Sequence, residues 1–149
     1  MKGRILVWPL AVVLLLALAG QTMRWHARIT AGRLLARVEA LTMAVVSRGS
    51  APRGLLGANL DALKRAAALD PVEVGVPIAR GSQYLVFGDP DMAVEAYRTA
   101  LALEPRPEIY LNLGRAESSA RRLEEARRDF ALALRLDPRF LLSVPPEMR

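Results

Sequence analysis

The six-residue segment ALALEP at 100–105 returns as ALRLDP at 133–138, and a weaker version, AAALDP, stands at 66–71. The closing prolines are spaced by 34 and then by 33 residues. A period in that range restricts the fold more than any other feature of the chain. Each unit is then one supersecondary piece that cannot bury its apolar face alone, and a core arises only where neighbouring units stack. Proline closes each segment because it lacks the amide hydrogen a helix needs and clashes with the preceding turn.

Laid over each other with an offset of 33, the last two units match at Gly81 and Gly114, Ala93 and Ala126, Tyr97 and Phe130, Ala100 and Ala133, and Pro105 and Pro138. Steps of four and three put Ala93, Tyr97 and Ala100 on one helical face. The small residues suit a close crossing of two helices, and the aromatic fills the gap beside them. This pattern resembles the tetratricopeptide repeat, which sets a small residue at position 8, a large one at 11, alanine at 20, an aromatic at 24, alanine at 27 and proline at 32. Counted that way, the first clear repeat begins at Val74 and supplies Gly81, Tyr84, Ala93, Tyr97, Ala100 and Pro105, with a family-like turn GDPD at 88–91. The second begins at Pro107 and opens EIYLNLG at 108–114. The resemblance covers about 74–140 and implies an all-α fold, a solenoid of antiparallel helix pairs.

The departures from the family pattern are specific. Position 4 of the first repeat is Pro77, so its first helix is expected to carry proline in the opening turn. Position 7 is Arg80, and position 11 of the second repeat is Glu117, where the family is apolar. A charge buried alone is costly, so each is expected to be paired or only partly covered. Stacking needs about three units. Residues 55–69, apolar at Leu56, Leu60, Leu63 and Ala67, are expected to form the second helix of a degenerate first repeat, with a long helix from Trp25 as its first. SRGSAPRG at 47–54 reads as the loop between them. After Pro138 the chain is too short and proline-rich for a full helix. Phe140, Leu141 and Leu142 are expected either to cover the open end of the stack or to dock on another subunit.

The N-terminal third has a different character. Residues 5–23 carry no charge, and as a helix of 19 residues they span ~28 Å, close to the ~30 Å hydrocarbon core of a bilayer. Trp8 and Trp25 bracket the run, as interfacial tryptophans do. The reading is a single transmembrane anchor at 1–23. The alternatives are a secretory signal cleaved after Ala17-Leu18-Ala19, or a helix buried in a soluble protein. Residues 24–73 then form a basic juxtamembrane helix and the degenerate repeat, 74–140 the two clear repeats, and 141–149 a tail. From Ala27 the apolar residues Ala31, Leu34, Val38, Leu41 and Val45 continue in steps of four and three along one face. Arg28, Arg33 and Arg37 fall off that stripe. Together with Arg24 they either form a solvated face or lie against anionic lipid headgroups, at ~1 kcal/mol each near the surface. The charges beyond the span favour repeats on the cytoplasmic side, whereas the short N-tail with Lys2 and Arg4 resists translocation. The orientation adopted is N-terminus inside, with the repeats outside the cytoplasm.

The charge of +6 suggests nucleic acid until its placement is considered. Residues 1–53 hold eight basic side chains against one acid, and 54–149 hold thirteen against fourteen. The excess lies beside the span rather than on the repeats, so no nucleic-acid partner is expected. There is no cysteine and one histidine, His26, and neither GxGxxG nor a P-loop occurs. Glu124 and Glu125 open a helix, where acids suit the dipole, and Glu124 stands one turn before Arg128. No enzyme activity, cofactor, metal or small-molecule substrate is expected. The resemblance instead implies a concave groove for peptides, lined by Ile78, Ser82, Leu85 and Val86 from one repeat and Leu111, Asn112, Arg115 and Ser119 from the next. Relatives that grip chaperone tails place lysine and asparagine where this chain has Ile78 and Ser82. The functional expectation is a membrane-anchored, non-catalytic interaction or assembly subunit of a membrane or envelope complex. The alternatives are a secreted periplasmic adaptor and a purely structural single-span subunit.

Overall fold

The computed structural model describes residues 7–49, 52 and 54–149. Expectations for Lys2, Arg4, Ile5 and Leu6, and for Ser50, Ala51 and Arg53 of the loop, lie outside the described residues. Among the described residues six α-helices follow one another: α1 Val7–Arg48, α2 Leu55–Leu69, α3 Gly75–Val86, α4 Pro90–Leu103, α5 Pro107–Ser119 and α6 Leu123–Leu136. Two 3-10 turns, Pro138–Ser143 and Pro146–Met148, complete the chain. The helices pair as antiparallel neighbours, α1 with α2, α3 with α4 and α5 with α6, and the pairs stack side by side.

Helix α1 has 42 residues and runs without a break from the apolar segment into the amphipathic one, a length of ~63 Å. Its first half is bare of neighbours: Leu10, Val13, Leu14, Leu15, Leu16, Leu18 and Met23 are all exposed. The described helix is long and apolar enough to cross a membrane. In the second half Ala31, Val38 and Val45, spaced by two turns, are buried. Ala31 and Val38 pack with Leu63 and Ala66 of α2 and Val76 and Ala79 of α3. A fully buried valine or leucine contributes ~1.5–3 kcal/mol, so this seam holds α1 firmly to the array.

On α2 the buried residues are Asn59, Leu63 and Ala66, whereas Leu56, Leu60 and Ala67 of the expected stripe are half-covered. The inward face is rotated because α2 must serve two neighbours, and because Asn59 has partners. Its Nδ2 donates to Gln83 Oε1 at 2.8 Å. Gln83 Nε2 donates to Thr42 Oγ1, which donates in turn to the Val38 carbonyl at 2.7 Å. This satisfied polar chain ties α1, α2 and α3 together in the core, where an unpartnered amide is costly.

The two clear repeats share their inner geometry. A Cβ built on Gly81 falls 2.7 Å from the Tyr97 ring, and one on Gly114 falls 2.8 Å from the Phe130 ring. Both rings are buried, so neither can retreat. Val74, Val94, Tyr97 and Ala100 pack with Ile109, Leu113 and Ala116, which joins one repeat to the next. Pro77 sits in the first turn of α3, where no intrahelical donor is lost. The turns inside each repeat also match. The amides of Gly88 and Asp89 donate to the carbonyls of Leu85 and Tyr84, and those of Arg121 and Arg122 donate to Ser118 and Glu117. The left-handed residue is Gly88 at φ +82° in the first turn and Arg121 at φ +61° in the second. Asp89 caps α4 by accepting from the Met92 amide at 3.2 Å, a service Arg122 cannot render to α6.

The tail closes the far end of the stack, with Phe140 alone of the three expected residues taking part. Val144 and Met148 are buried with Leu111, Ala126, Phe130 and Ala133, and Phe140 packs alongside. Leu141 and Leu142 remain exposed. A 3-10 turn repeats every three residues, so 140, 141 and 142 cannot all face inward.

Three substitutions test this geometry by chemical denaturation. Gly114→Ala lowers stability by ~1–3 kcal/mol through overpacking against Phe130, despite the ~1 kcal/mol alanine adds to helix propensity. Gly57→Ala, on α2 with open space around it, raises stability instead. Arg121→Gly relieves a left-handed side-chain residue and stabilises by ~1 kcal/mol; no gain would mean the turn carries no strain.

Candidate protein-binding face

The first helices of the two clear repeats, α3 and α5, carry the residues assigned to the groove. On α3, Ile78 and Leu85 are half-buried against the repeat core, and Val86 is exposed at the helix end. Ser82 is tied down twice, through its own Oγ to the Ile78 carbonyl at 3.2 Å and to Tyr97 Oη at 3.1 Å. On α5, Leu111 lies in the cluster that Val144 and Met148 complete, so the tail covers it. Arg115 is exposed; its Nη1 donates to Asn112 Oδ1 at 3.3 Å and its Nη2 to the Ser143 carbonyl at 3.4 Å. Ser119 Oγ donates to the Arg115 carbonyl at 2.9 Å. The polar end of this face is therefore Asn112, Arg115 and the tail backbone together, a contribution from Ser143 that no sequence spacing signals.

Of the four arginines assigned to lipid headgroups, Arg24, Arg33 and Arg37 are exposed on α1. Arg28 is exposed too, but its Nε stands 3.4 Å from Asp70 Oδ2 at the end of α2. Arg37 rims a cleft of about 530 Å³ between α1 and α2, floored by Leu34, Val38, Leu41 and Ala58. His26 packs edge-on to Trp25, with ring centroids 5.3 Å apart, on the exposed part of α1. Glu124 pairs with Arg127 at 3.9 Å rather than with Arg128, which Glu125 takes at 3.8 Å; both contacts are exposed, so they add little.

The two charges at apolar family positions meet different fates. Arg80 is half-buried in a crevice beside Asp70, Pro71 and Leu103. Glu117 is 1% exposed, and its Oε1 accepts from Arg98 Nη2 at 3.0 Å. Its Oε2 meets no donor. Burial, and next the Asp129 carboxylate facing it, push the Glu117 acid up to about 7, with Arg98 opposing. Two facing carboxylates are compatible when a proton lies between them, which accounts for the oxygen without a donor. By contrast, exposed Glu104 and half-buried Asp137 are held below their ordinary values by hydrogen bonds from Arg106 and Arg139.

For Glu117 the folded value lies above the unfolded 4.5, so its stabilisation is complete below about 4.5 and is lost as pH rises through 7. Glu117→Gln keeps the bond from Arg98 and gives Asp129 a donor. The variant is expected to be more stable than the parent at pH 8, on the order of 2 kcal/mol, and to flatten the decline between pH 5 and 8. Denaturant melts across that range check this, and parallel pH profiles would refute it.

Residues 107–140 match the sequence profile of the tetratricopeptide repeat. No curated protein sequence matches significantly. Among solved structures, a thermophilic tetratricopeptide-repeat protein of Thermus thermophilus is 31% identical with a TM-score of 0.65, over 80% of this chain and 62% of that one. The chain thus spans about 62% of that relative's length. The first such domain of human RPAP3 is 23% identical with a TM-score of 0.62, over 73% of this chain and 80% of that one. The first repeat domain of Spaghetti (RPAP3) bound to an HSP90 peptide, SRMEEVD, matches at 22% identity and a TM-score of 0.62, over 74% of this chain and 84% of that one. With two matching helix pairs, glycine–aromatic crossings in both and a profile match to the second, residues 107–140 are a tetratricopeptide repeat and the stack has the fold of that family.

Proposed function

We propose that this chain is a membrane-anchored, non-catalytic interaction or assembly subunit of a membrane or envelope complex. The observation that carries the reading is the continuity of α1. One helix is exposed and apolar through Met23 and then becomes, without a hinge, the first helix of an interaction fold. Helical repeats of this family are protein-binding modules, and an anchor raises their effective concentration toward other membrane components. The N-terminus lies in the cytoplasm and the repeats outside it, the orientation favoured by the short charged N-tail.

The partner presents an extended peptide to the face of α3 and α5. Ile78, Leu85 and Val86 offer apolar contact, Ser82 and Ser119 lie on the same face, Asn112 suits a peptide backbone, and Arg115 suits a carboxylate. Leu111 contributes only where the tail lifts away. The peptide-bound RPAP3 domain supports a protein ligand as the class. Ile78 and Ser82 stand in place of the lysine and asparagine of chaperone-tail binders, which argues for a different sequence. Arg24 lies against anionic headgroups and Arg28 is shared between them and Asp70, whereas Arg33 and Arg37, ~15 and ~21 Å past Met23 on the same helix, stand beyond that layer.

Membrane fractionation tests the anchor. The full-length chain is expected to stay in the membrane pellet through alkaline carbonate and to leave it only in detergent, retaining Met1. A form lacking residues 1–23 is expected to be soluble and helical. Release of the full-length product without detergent, with Gly20 at its N-terminus, would make it a secreted adaptor and defeat the reading.

A further inference from the structure

The helix that forms the anchor also fixes which end of the array faces the membrane. Three contacts read along α1 set the direction. Arg28 meets Asp70 at the end of α2, Leu35 crowds Gly75 at the start of α3, and Thr42 accepts from Gln83 near the end of α3. Thus α3 runs with α1, away from the span, while α2 returns toward it. The alternation continues through α4 and α6. Leu103, at the end of α4, shares a crevice with Asp70, Pro71 and Glu73. The three proline-closed segments, 66–71, 100–105 and 133–138, therefore all point to the side of the array from which the span emerges.

That side is apolar beyond what stacking requires. Leu69, Leu103 and Leu136, the same position in three successive units, are exposed. Val72, in the loop after α2, is 67% exposed. Three cations among them are paired with acids of the same edge: Arg28 with Asp70 at 3.4 Å, Arg106 with Glu104 at 2.5 Å, and Arg139 with Asp137 at 2.7 Å. Each such pair is neutral as a unit. Depth follows from helix geometry. Arg28 lies five residues past Met23, or ~7.5 Å along the axis, and the headgroup layer of one leaflet is ~5–7 Å thick. Arg28 thus stands at the outer edge of that layer, and the loop it holds lies within reach of the headgroups.

We infer that the edge bearing Leu69, Val72, Leu103 and Leu136 rests against the headgroup layer of the bilayer, so the array lies against the membrane instead of projecting from it on a stalk. The occupant is lipid because the edge is continuous with the segment that α1 places in the bilayer. The inference rests on the reading of α1 as a span. A consequence is that the opposite end, with the Gly88 and Arg121 turns, is the one presented to the aqueous phase.

The chain has no cysteine, so single cysteines can be introduced and labelled with an environment-sensitive fluorophore in the full-length protein in liposomes. Positions Leu14, Val72, Leu103 and Arg121 are compared, with quenchers attached to lipid headgroups or placed deep in the acyl chains. Labels at Val72 and Leu103 are expected to be quenched by the headgroup probe severalfold more than the label at Arg121. The label at Leu14 is expected to respond to the deep probe. Quenching at Leu14 with Val72 and Leu103 no different from Arg121 overturns this inference and leaves the anchor standing. A Leu14 label untouched by lipid quenchers overturns the anchor, and this inference with it. Labels at Val72 and Leu103 shielded from a water-soluble quencher but silent to both lipid probes would place protein on the edge, and also overturn it.

Discussion

Everything in this molecule is positioned by the seam along which the second half of α1 docks on α2 and α3. Ala31 and Val38 supply its apolar contacts, and the Thr42–Gln83–Asn59 chain supplies its register. The apolar contacts alone would tolerate sliding, because alanine and valine are small and similar. Three hydrogen-bonding side chains on three helices do not, since a shift of one turn would leave buried amide groups without partners. A helix with no second role could dock loosely. This one continues as the apolar N-terminal segment, so its register also sets the height and direction of the whole array.

The stack beyond that seam is held by repeated close crossings. Gly81 admits Tyr97 and Gly114 admits Phe130, which brings the two helices of each pair together at a distance no side chain would permit. The repeats differ where they are free to. Gly88 is replaced by Arg121 at the left-handed turn, and Asp89 by Arg122 at the following cap. Glu117 sits in a core position, paired with Arg98 and facing the Asp129 carboxylate, while the first repeat has Tyr84 there. The second repeat therefore carries more local strain than the first. The tail that buries Val144 and Met148 beside Phe130 offsets part of it by closing the end that a further repeat would otherwise cover.

The residues that revealed the fold were those under steric constraint. Proline at a fixed period, a small residue at a set distance from an aromatic, and a continuous apolar run each have few structural solutions, so their spacing reads directly. The elements that could not be read depend on tertiary partners. Asn59 looks like a surface residue until Gln83 and Thr42 are placed around it, and the α2 face was expected one position away. Leu141 and Leu142 look like the better cap, yet the 3-10 turn leaves them outside, and Val144 and Met148 beyond it are buried instead. On the candidate face, Asn112 and Arg115 were reachable only through the family pattern. Their link to Ser143 and the pairing of Arg28 with Asp70 join residues far apart in the chain and leave no local signal.

The central claim is that one helix serves as both apolar N-terminal segment and first element of the stack. Hydrogen exchange on the full-length protein in lipid nanodiscs tests it most directly. Amides at 31–45 of α1 are expected to be protected as strongly as those at 76–83 of α3, and to lose protection together with them as denaturant is added. Exchange through 31–45 at the rate of an isolated helix, with α3 to α6 still protected, would contradict it. The array would then hang from the N-terminal segment by an undocked tether.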